Sequence, residues 1–168
     1  MKLKIRKYRS SDIEACRGLW AELTQKHRDI YSDQTIGGKN PGNNFDLYIK
    51  KKNLHGPWVA VFDGQVKGLT GLLVEGEEAG VEPAIVSKKY RNQGVGTAMV
   101  KHVIEEAKKL GIRFLSAKPL ARNVDVMPFL IKEGFNIIGQ IELFQDLSNS
   151  PGKEWKTGIS IHGNKLKY

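Results

Sequence analysis

Arg91-Asn92-Gln93-Gly94-Val95-Gly96-Thr97 combines, in one short stretch, the features needed to hold a phosphate. Glycines at 94 and 96 carry no Cβ, so an anion can approach the backbone N–H groups closely. A helix starting there would add unpaired first-turn amides and the positive end of its dipole. Arg91 offers a charged donor and Thr97 a neutral one, so the chemistry on offer is a pyrophosphate cradle. Three kinds of phosphate loop compete for the stretch. The dinucleotide fingerprint requires a third glycine three residues beyond Gly96, where Met99 stands. The nucleoside-triphosphate loop requires Gly-Lys-Ser or Gly-Lys-Thr, which occurs nowhere in the chain. What remains is the pattern Arg-x-x-Gly-x-Gly.

The flanking elements must position that loop. Residues 81–86, Val-Glu-Pro-Ala-Ile-Val, read as a short strand. Beyond the loop, Val95, Met99, Val103, Ala107 and Leu110 recur with a helical period, widened by Val100 and Ile104. Lys108 and Lys109 suit the negative end of that helix, and Gly111 supplies a left-handed stop. The local order is strand, glycine-rich turn, helix.

The rest of the chain supplies a scaffold. Residues 2–8 alternate as a half-buried strand. Ser11 and Glu14 read as a capping box opening a helix whose inward stripe is Ile13, Cys16, Trp20, Leu23 and His27. On that stripe Cys16 reads as a small core residue, since no activating partner accompanies it. Residues 33–44 are rich in turn formers and read as a mobile connection, either a plain loop or a wall of an acceptor site. A short helix follows over 45–54. Residues 58–62 and 66–74 read as strands joined at Asp63-Gly64, a hairpin signal. Glu75-Gly76-Glu77-Glu78 then turns the chain, its carboxylates reading as solvated surface or as an attractor for a cationic amine. Later, 113–117 reads as a strand. Asp125 is placed to cap a short helix that has Pro128 in its first turn and ends at Glu133, with Gly134 as the stop. Residues 137–147 read as extended, 148–153 as a turn and 155–161 as a last strand. No repeat or low-complexity segment appears.

Composition bounds the class. A chain of 168 residues, 40% hydrophobic and 27% charged, suits a single domain over residues 1–168 with an ordinary core. Lysine and arginine exceed aspartate and glutamate by 27 − 18 = 9, which favours polyanionic partners. The basic residues are scattered, however, and no aromatic-rich RNA motif or zinc spacing accompanies them, which argues against nucleic acid. Cys16 is the sole cysteine, so no intramolecular disulfide can form. The basic start, Met-Lys-Leu-Lys-Ile-Arg-Lys-Tyr, lacks the apolar run of a signal peptide, and no stretch reaches the ~18 apolar residues that span a bilayer. A cytoplasmic protein is expected. His27, His55, His102 and His162 lie too far apart for a ligand motif, so no metal is expected.

The sequence of elements, together with three marks, resembles the GCN5-related N-acetyltransferases (GNAT). The marks are Ile5-Arg6…Tyr8-Arg9…Asp12 at the first strand-to-helix entry, the run from Val86 through Tyr90-Arg91 to Gly96, and Asn123 followed by Gly134-Phe135. The resemblance implies an α/β (α+β) fold in which a mixed, mostly antiparallel twisted sheet of about seven strands is flanked by about four helices. It implies acetyl-CoA as acyl donor and a primary amine as acceptor. Ala84, Ile85 and Val86 would then offer main-chain groups to the pantetheine arm and the acetyl carbonyl. Asn92, Gln93, Gly94, Val95, Gly96 and Thr97 would hold the pyrophosphate with Arg91 at the entrance, and Asn123 would bond near the thiol end.

Amine attack on a thioester needs a proton acceptor and an oxyanion donor, because a lysine-like ammonium has a pKa of ~10.4. The Val86 N–H is the expected oxyanion donor. Glu82 is the expected base: residues two apart share a strand face, so Glu82, Ala84 and Val86 point together unless a bulge intervenes. Two positions depart from the family pattern. Leu130 stands where many members carry a tyrosine that protonates the thiolate, leaving Tyr90, Tyr48, Tyr31 or water for that task. Lys118 stands where some members carry a glutamate. A sensor that binds acyl-CoA without efficient catalysis is therefore the alternative, and the chain is read as a monomer or homodimer.

Overall fold

In the computed structural model, residues 3–145, 147 and 155–168 are described, in two compact units, Met1–Lys118 and Pro119–Tyr168. The first unit is built on a five-stranded sheet in the order β1-β2-β3-β4-β5. Its strands are β1 (Leu3–Lys7), β2 (Leu54–Phe62), β3 (Gln65–Glu75), β4 (Glu78–Val86) and β5 (Phe114–Ser116). The first four pair antiparallel, and β5 joins β4 in parallel. That parallel step is spanned by α3 (Val95–Lys109), a long crossover of the kind parallel neighbours require.

Period-2 alternation gives the sheet two apolar faces. Val59, Leu69 and Ile85 are directly opposite one another across β2, β3 and β4, and pack with Cys16 and Leu19 of α1 (Ile13–Tyr31) and Phe45 and Tyr48 of α2 (Asn44–Tyr48). Ala60, Gly68 and Val86 form the neighbouring row on the other face, under Val95 and Met99 of α3. Gly68 is what lets α3 come so close. A Cβ there would lie 2.5 Å from Met99 Sδ and 3.1 Å from both Ala60 Cβ and the Ile85 carbonyl. Gly68→Ala is therefore expected to destabilise the fold by about 2 kcal/mol through overpacking, measured by urea unfolding.

The first helix departs from expectation at both its start and its stripe. Ser11 does not cap it. Asp12 stands at the N-terminal boundary of the helix without a side-chain bond to its first turn; its carboxylate instead accepts the Arg9 N–H (2.8 Å) and both guanidinium arms of Arg6 (2.7 and 2.8 Å). A short 3₁₀ turn, Ser10–Asp12, precedes the α-helix proper. Leu19 and Thr24 join Cys16 as its buried residues, whereas Trp20 and Leu23 are half-buried. The connection at 33–44, expected to be mobile, is tied down. Arg28 of α1 donates to the carbonyls of Ile36 (2.9 Å) and Gly38 (2.6 Å), and a 3₁₀ turn, Pro41–Asn43, leads into α2. The helix expected over 45–54 ends at Tyr48, because β2 already begins at Leu54.

The second unit contains α4 (Met127–Lys132) and a two-stranded antiparallel sheet of β6 (Thr157–Ile161) and β7 (Asn164–Lys167). The seven strands among the described residues thus divide five and two between two sheets. Asp125 does not cap α4; it lies inside a 3₁₀ turn, Val124–Val126, and Val126 is the capping residue. Gly134 does stop the segment, at φ +101°. Residues 137–145 and 147 form no strand, so the extended reading of 137–147 produces no ladder among the described residues. The turn expected at 148–153 lies outside the described residues. No helix among the described residues is long and apolar enough to cross a membrane.

Candidate active site

β4 leaves part of its backbone uncovered. It pairs with β5 only over Glu78, Ala79 and Gly80, so residues 81–86 have no strand partner on that edge among the described residues. On its other edge Val86 is opposite Gly68 and Ser87 donates its N–H to the Lys67 carbonyl (2.9 Å). Bonding alternates along an antiparallel ladder. With Ser87 bonded toward β3, Ile85 is bonded there too, and the peptide groups of Val86 and Ala84 face the open edge. The Val86 carbonyl shows this direction directly, because it accepts Arg91 Nε–H (2.9 Å) from beyond the sheet.

A β-bulge then changes the expected position of Glu82. Thr70 is opposite Ala84 but Leu72 is opposite Val81, so Glu82 and Pro83 together face Gly71. The extra residue reverses the alternation. Val86 stays on the α3 face, whereas Glu82 turns to the α2 face. There its carboxylate meets Lys51 Nζ at 2.9 Å, with the two side chains 51% and 42% exposed. The reading in which Glu82, Ala84 and Val86 share one face is thereby corrected. Tyr48, fully buried, anchors the bulge by donating its hydroxyl to the Glu82 carbonyl (2.6 Å), and burial pushes its phenol far above the ordinary range. Gly71 makes room for that hydroxyl, which would collide with any Cβ at this position.

The glycine-rich turn joins β4 to α3 as the pattern requires. Asn92 (φ +59°) and Gly94 (φ +79°) are left-handed, and nothing lies within 4 Å of where a Gly94 Cβ would be. The first bond of α3 is Ala98 N–H to the Gly94 carbonyl (3.0 Å), so the first-turn amides of Val95 and Gly96 have no intrahelical acceptor. Val95 itself is buried beneath the sheet-facing side of α3. Gln93 closes the turn by donating its side-chain amide to the Lys89 carbonyl (2.9 Å).

Arg91 has a structural task at this entrance. Besides the Val86 carbonyl, its guanidinium meets Glu22 of α1, with Nη2 at 3.5 Å from Oε1. The same Glu22 oxygen accepts the Lys88 N–H. Sequence reasoning passed over Glu22 because it sits on α1 without a local motif. Its contacts come from residues 66 and 69 positions away.

Asn123 begins the 3₁₀ turn before α4, yet its side chain makes no cap. Its Oδ1 is buried without a protein hydrogen-bond partner, and a buried acceptor of this kind is suited to a ligand amide. Leu130 is buried and apolar. Of the alternative hydroxyls, Tyr48 is occupied at Glu82, and Tyr90 packs edge-on against Phe62 with Lys67 Nζ 4.8 Å from its ring centre. Cys16 is fully buried, and burial pushes its thiol up to about 12, which makes it inert as a nucleophile. Among the described residues no cluster of histidine, cysteine or carboxylate side chains could hold a metal. His55 and His102 instead pack edge-on against Trp58.

Comparison with known proteins agrees with this architecture. An acetyltransferase of the GNAT family from Staphylococcus aureus Mu50 is 16% identical, with TM-score 0.69, over 90% of this chain and 96% of that one. Glucosamine-6-phosphate N-acetyltransferase from Arabidopsis thaliana is 16% identical, with TM-score 0.64, over 88% of this chain and all of that one. An aminoglycoside N-acetyltransferase in complex with CoA is 16% identical, with TM-score 0.65, over 88% and 96%. At such identities the likeness is one of fold. The family model described as acetyltransferase (GNAT) family matches residues 20–135, more than half of the sequence. The chain belongs to the acetyltransferase (GNAT) family and has its fold.

Proposed function

We propose that residues 1–168 act as one cytoplasmic, acetyl-CoA-dependent N-acetyltransferase domain, as a monomer or homodimer, on a primary amine. The observation that carries this reading is the open edge of β4, whose outward peptide groups run directly into the Gly94 turn and the N-terminus of α3. The geometry fits an elongated phosphate-bearing thioester: peptide N–H and C=O groups along one end, helix-start amides at the other. Ala84 and Val86 offer the arm their outward main-chain groups, whereas Ile85, expected to join them, is bonded toward β3 and does not. Asn92, Gln93, Gly94, Val95, Gly96 and Thr97 surround the pyrophosphate, and Arg91 holds the turn to β4.

Acetyl-CoA supplies the activated acyl carbon. The chain supplies orientation and proton management. The Val86 N–H, directed off the sheet, stabilises the oxyanion at the acyl carbon. The amine nitrogen forms its bond to that carbon as the carbon–sulfur bond breaks. An acceptor arriving as an ammonium loses two protons in all; one reaches the departing thiolate and one is released to solvent. Glu82 takes the proton bound for solvent, as general base, once an acceptor has displaced Lys51. Leu130 provides no hydroxyl, so the second proton reaches the thiolate through water or through the hydroxyl of Tyr90 or Tyr31.

Calorimetry with acetyl-CoA and with free CoA tests the cofactor site: one-to-one saturable binding is expected, and no binding at millimolar ligand would overturn it. Glu82→Gln is expected to lower kcat at neutral pH by roughly 10²-fold while cofactor affinity changes little. Equal rates for both proteins across the pH range would remove Glu82 from the chemistry. The ion pair at Glu82 and the apolar Leu130 also favour a second reading, an acyl-CoA-binding sensor. Tight CoA binding without turnover of any amine would establish it.

A further inference from the structure

The ion pair between Lys51 and Glu82 differs from the other surface pairs of this protein in its location. The bulge turns Glu82 out of the β4 pattern and toward the α2 face, and Tyr48 fixes it there from below. Lys51 is fixed by the same residue: its N–H donates to the Tyr48 carbonyl (3.1 Å), and its Nζ sits 5.8 Å from the centre of the Tyr48 ring. One buried tyrosine therefore sets the spacing of an exposed cation and an exposed anion, next to the open edge of β4. Lys50 and Lys52, both exposed, flank Lys51 in sequence, and Lys50 lies near Asp46.

Two electrostatic consequences follow. A polycationic acceptor, such as a polyamine or a lysine-rich peptide, would bring like charge to Lys51. An acceptor with a single ammonium and no anion would take Glu82 from Lys51 and leave the lysine without its partner. An acceptor that carries both charges close together leaves neither side unpaired, because each of its charges replaces one member of the existing pair. Exchange is cheap, since an exposed pair contributes little to stability.

We propose that the acceptor is a small amine bearing a carboxylate or phosphate near its nitrogen, with its ammonium bound to Glu82 and its anion bound to Lys51. Lys51 is then the specificity-determining residue. This inference rests on the transferase reading above and refines its acceptor.

The test uses the full chain, acetyl-CoA and matched acceptors, reading thiol release. Glycine against glycine methyl ester isolates the carboxylate, and O-phosphoethanolamine against ethanolamine isolates the phosphate. In at least one pair the anionic acceptor should be favoured tenfold or more in kcat/KM, and the pair in which this occurs identifies the anion. Lys51→Ala should bring that ratio close to one through a raised KM for the anionic member. Lys51→Glu should move the preference to a diamine. Circular dichroism on both variants controls for folding. Equal use of anionic and neutral amines by the native protein would overturn the proposal, as would a preference that survives Lys51→Ala. Failure of every amine in a protein that binds acetyl-CoA would overturn the transferase reading itself, and this inference with it.

Discussion

A Gly96→Glu protein is expected to fold normally and to bind acetyl-CoA at least about a hundredfold more weakly, a loss of about 2.7 kcal/mol or more. Gly96 is the second residue of α3 and is not among the residues at positive φ, so a side chain is compatible with its backbone. Glutamate is also the better helix former by about 0.5–1 kcal/mol, and a carboxylate in the first turn complements the helix dipole. The substitution should therefore raise thermal stability slightly while it removes the cradle by occupying it with bulk and negative charge. Gly94→Ala provides a contrast. At φ +79° the alanine costs roughly 1–2 kcal/mol of backbone strain, so stability falls along with binding. Calorimetry for affinity and a melt for stability separate the two. A stable Gly96→Glu protein with native affinity would show that the anion does not bind at this turn.

Replacing Asp12 by alanine is expected to cost about 3 kcal/mol, near the lower end for a broken buried pair, and to lower Tm by roughly 6–12 °C. The Asp12 side chain is 7% exposed and that of Arg6 21%, so water replaces the lost bonds poorly. Three donors converge on this carboxylate, two from Arg6 and one from the Arg9 backbone. The Arg6 hydrogen bond is the largest cause holding the Asp12 carboxyl below its usual range. The sign of the pH dependence follows. A depressed folded-state pKa gives stability that is fully present above the unfolded value of ~3.9 and lost as pH falls through the folded value. Asp12→Asn should therefore flatten the acid limb of a stability profile below pH ~4. A variant profile parallel to the native one would show that Asp12 contributes no pH-linked stability.

The elements with strong local signals were legible from the residues alone. The apolar stripe from Val95 to Ala107 gives α3, and the stop at Gly111 (φ +72°) ends its last turn. Asp63-Gly64 gives the β2–β3 hairpin. Other features depend on residues far apart in sequence. The β4 bulge is a mismatch of register with β3, and nothing in Glu-Pro-Ala-Ile announces that two residues face Gly71. The Glu82–Lys51 pair and the Glu22–Arg91 contact are tertiary in the same sense. Ser11 falls inside a 3₁₀ turn that Asp12 closes by accepting the Arg9 N–H and the guanidinium of Arg6 from the adjoining strand, so the α-helix begins two residues later. Strand 137–147 failed for a different reason. Its apolar residues have strand-like composition, but a strand is defined by the partner that bonds it, and no ladder among the described residues includes it.

The uncovered run of β4 also affects how the site can change over generations. A ligand held by peptide N–H and C=O groups draws its specificity from the path of the chain, not from the identity of the letters along it. Ala84 and Val86 can drift among residues that keep the strand extended, and the groups they present remain in place. In the proposed site, side-chain truncation there removes none of the peptide groups offered to the ligand. Chains that have lost nearly all likeness in sequence can consequently keep the same cofactor, and diversify only the side chains that meet the acceptor.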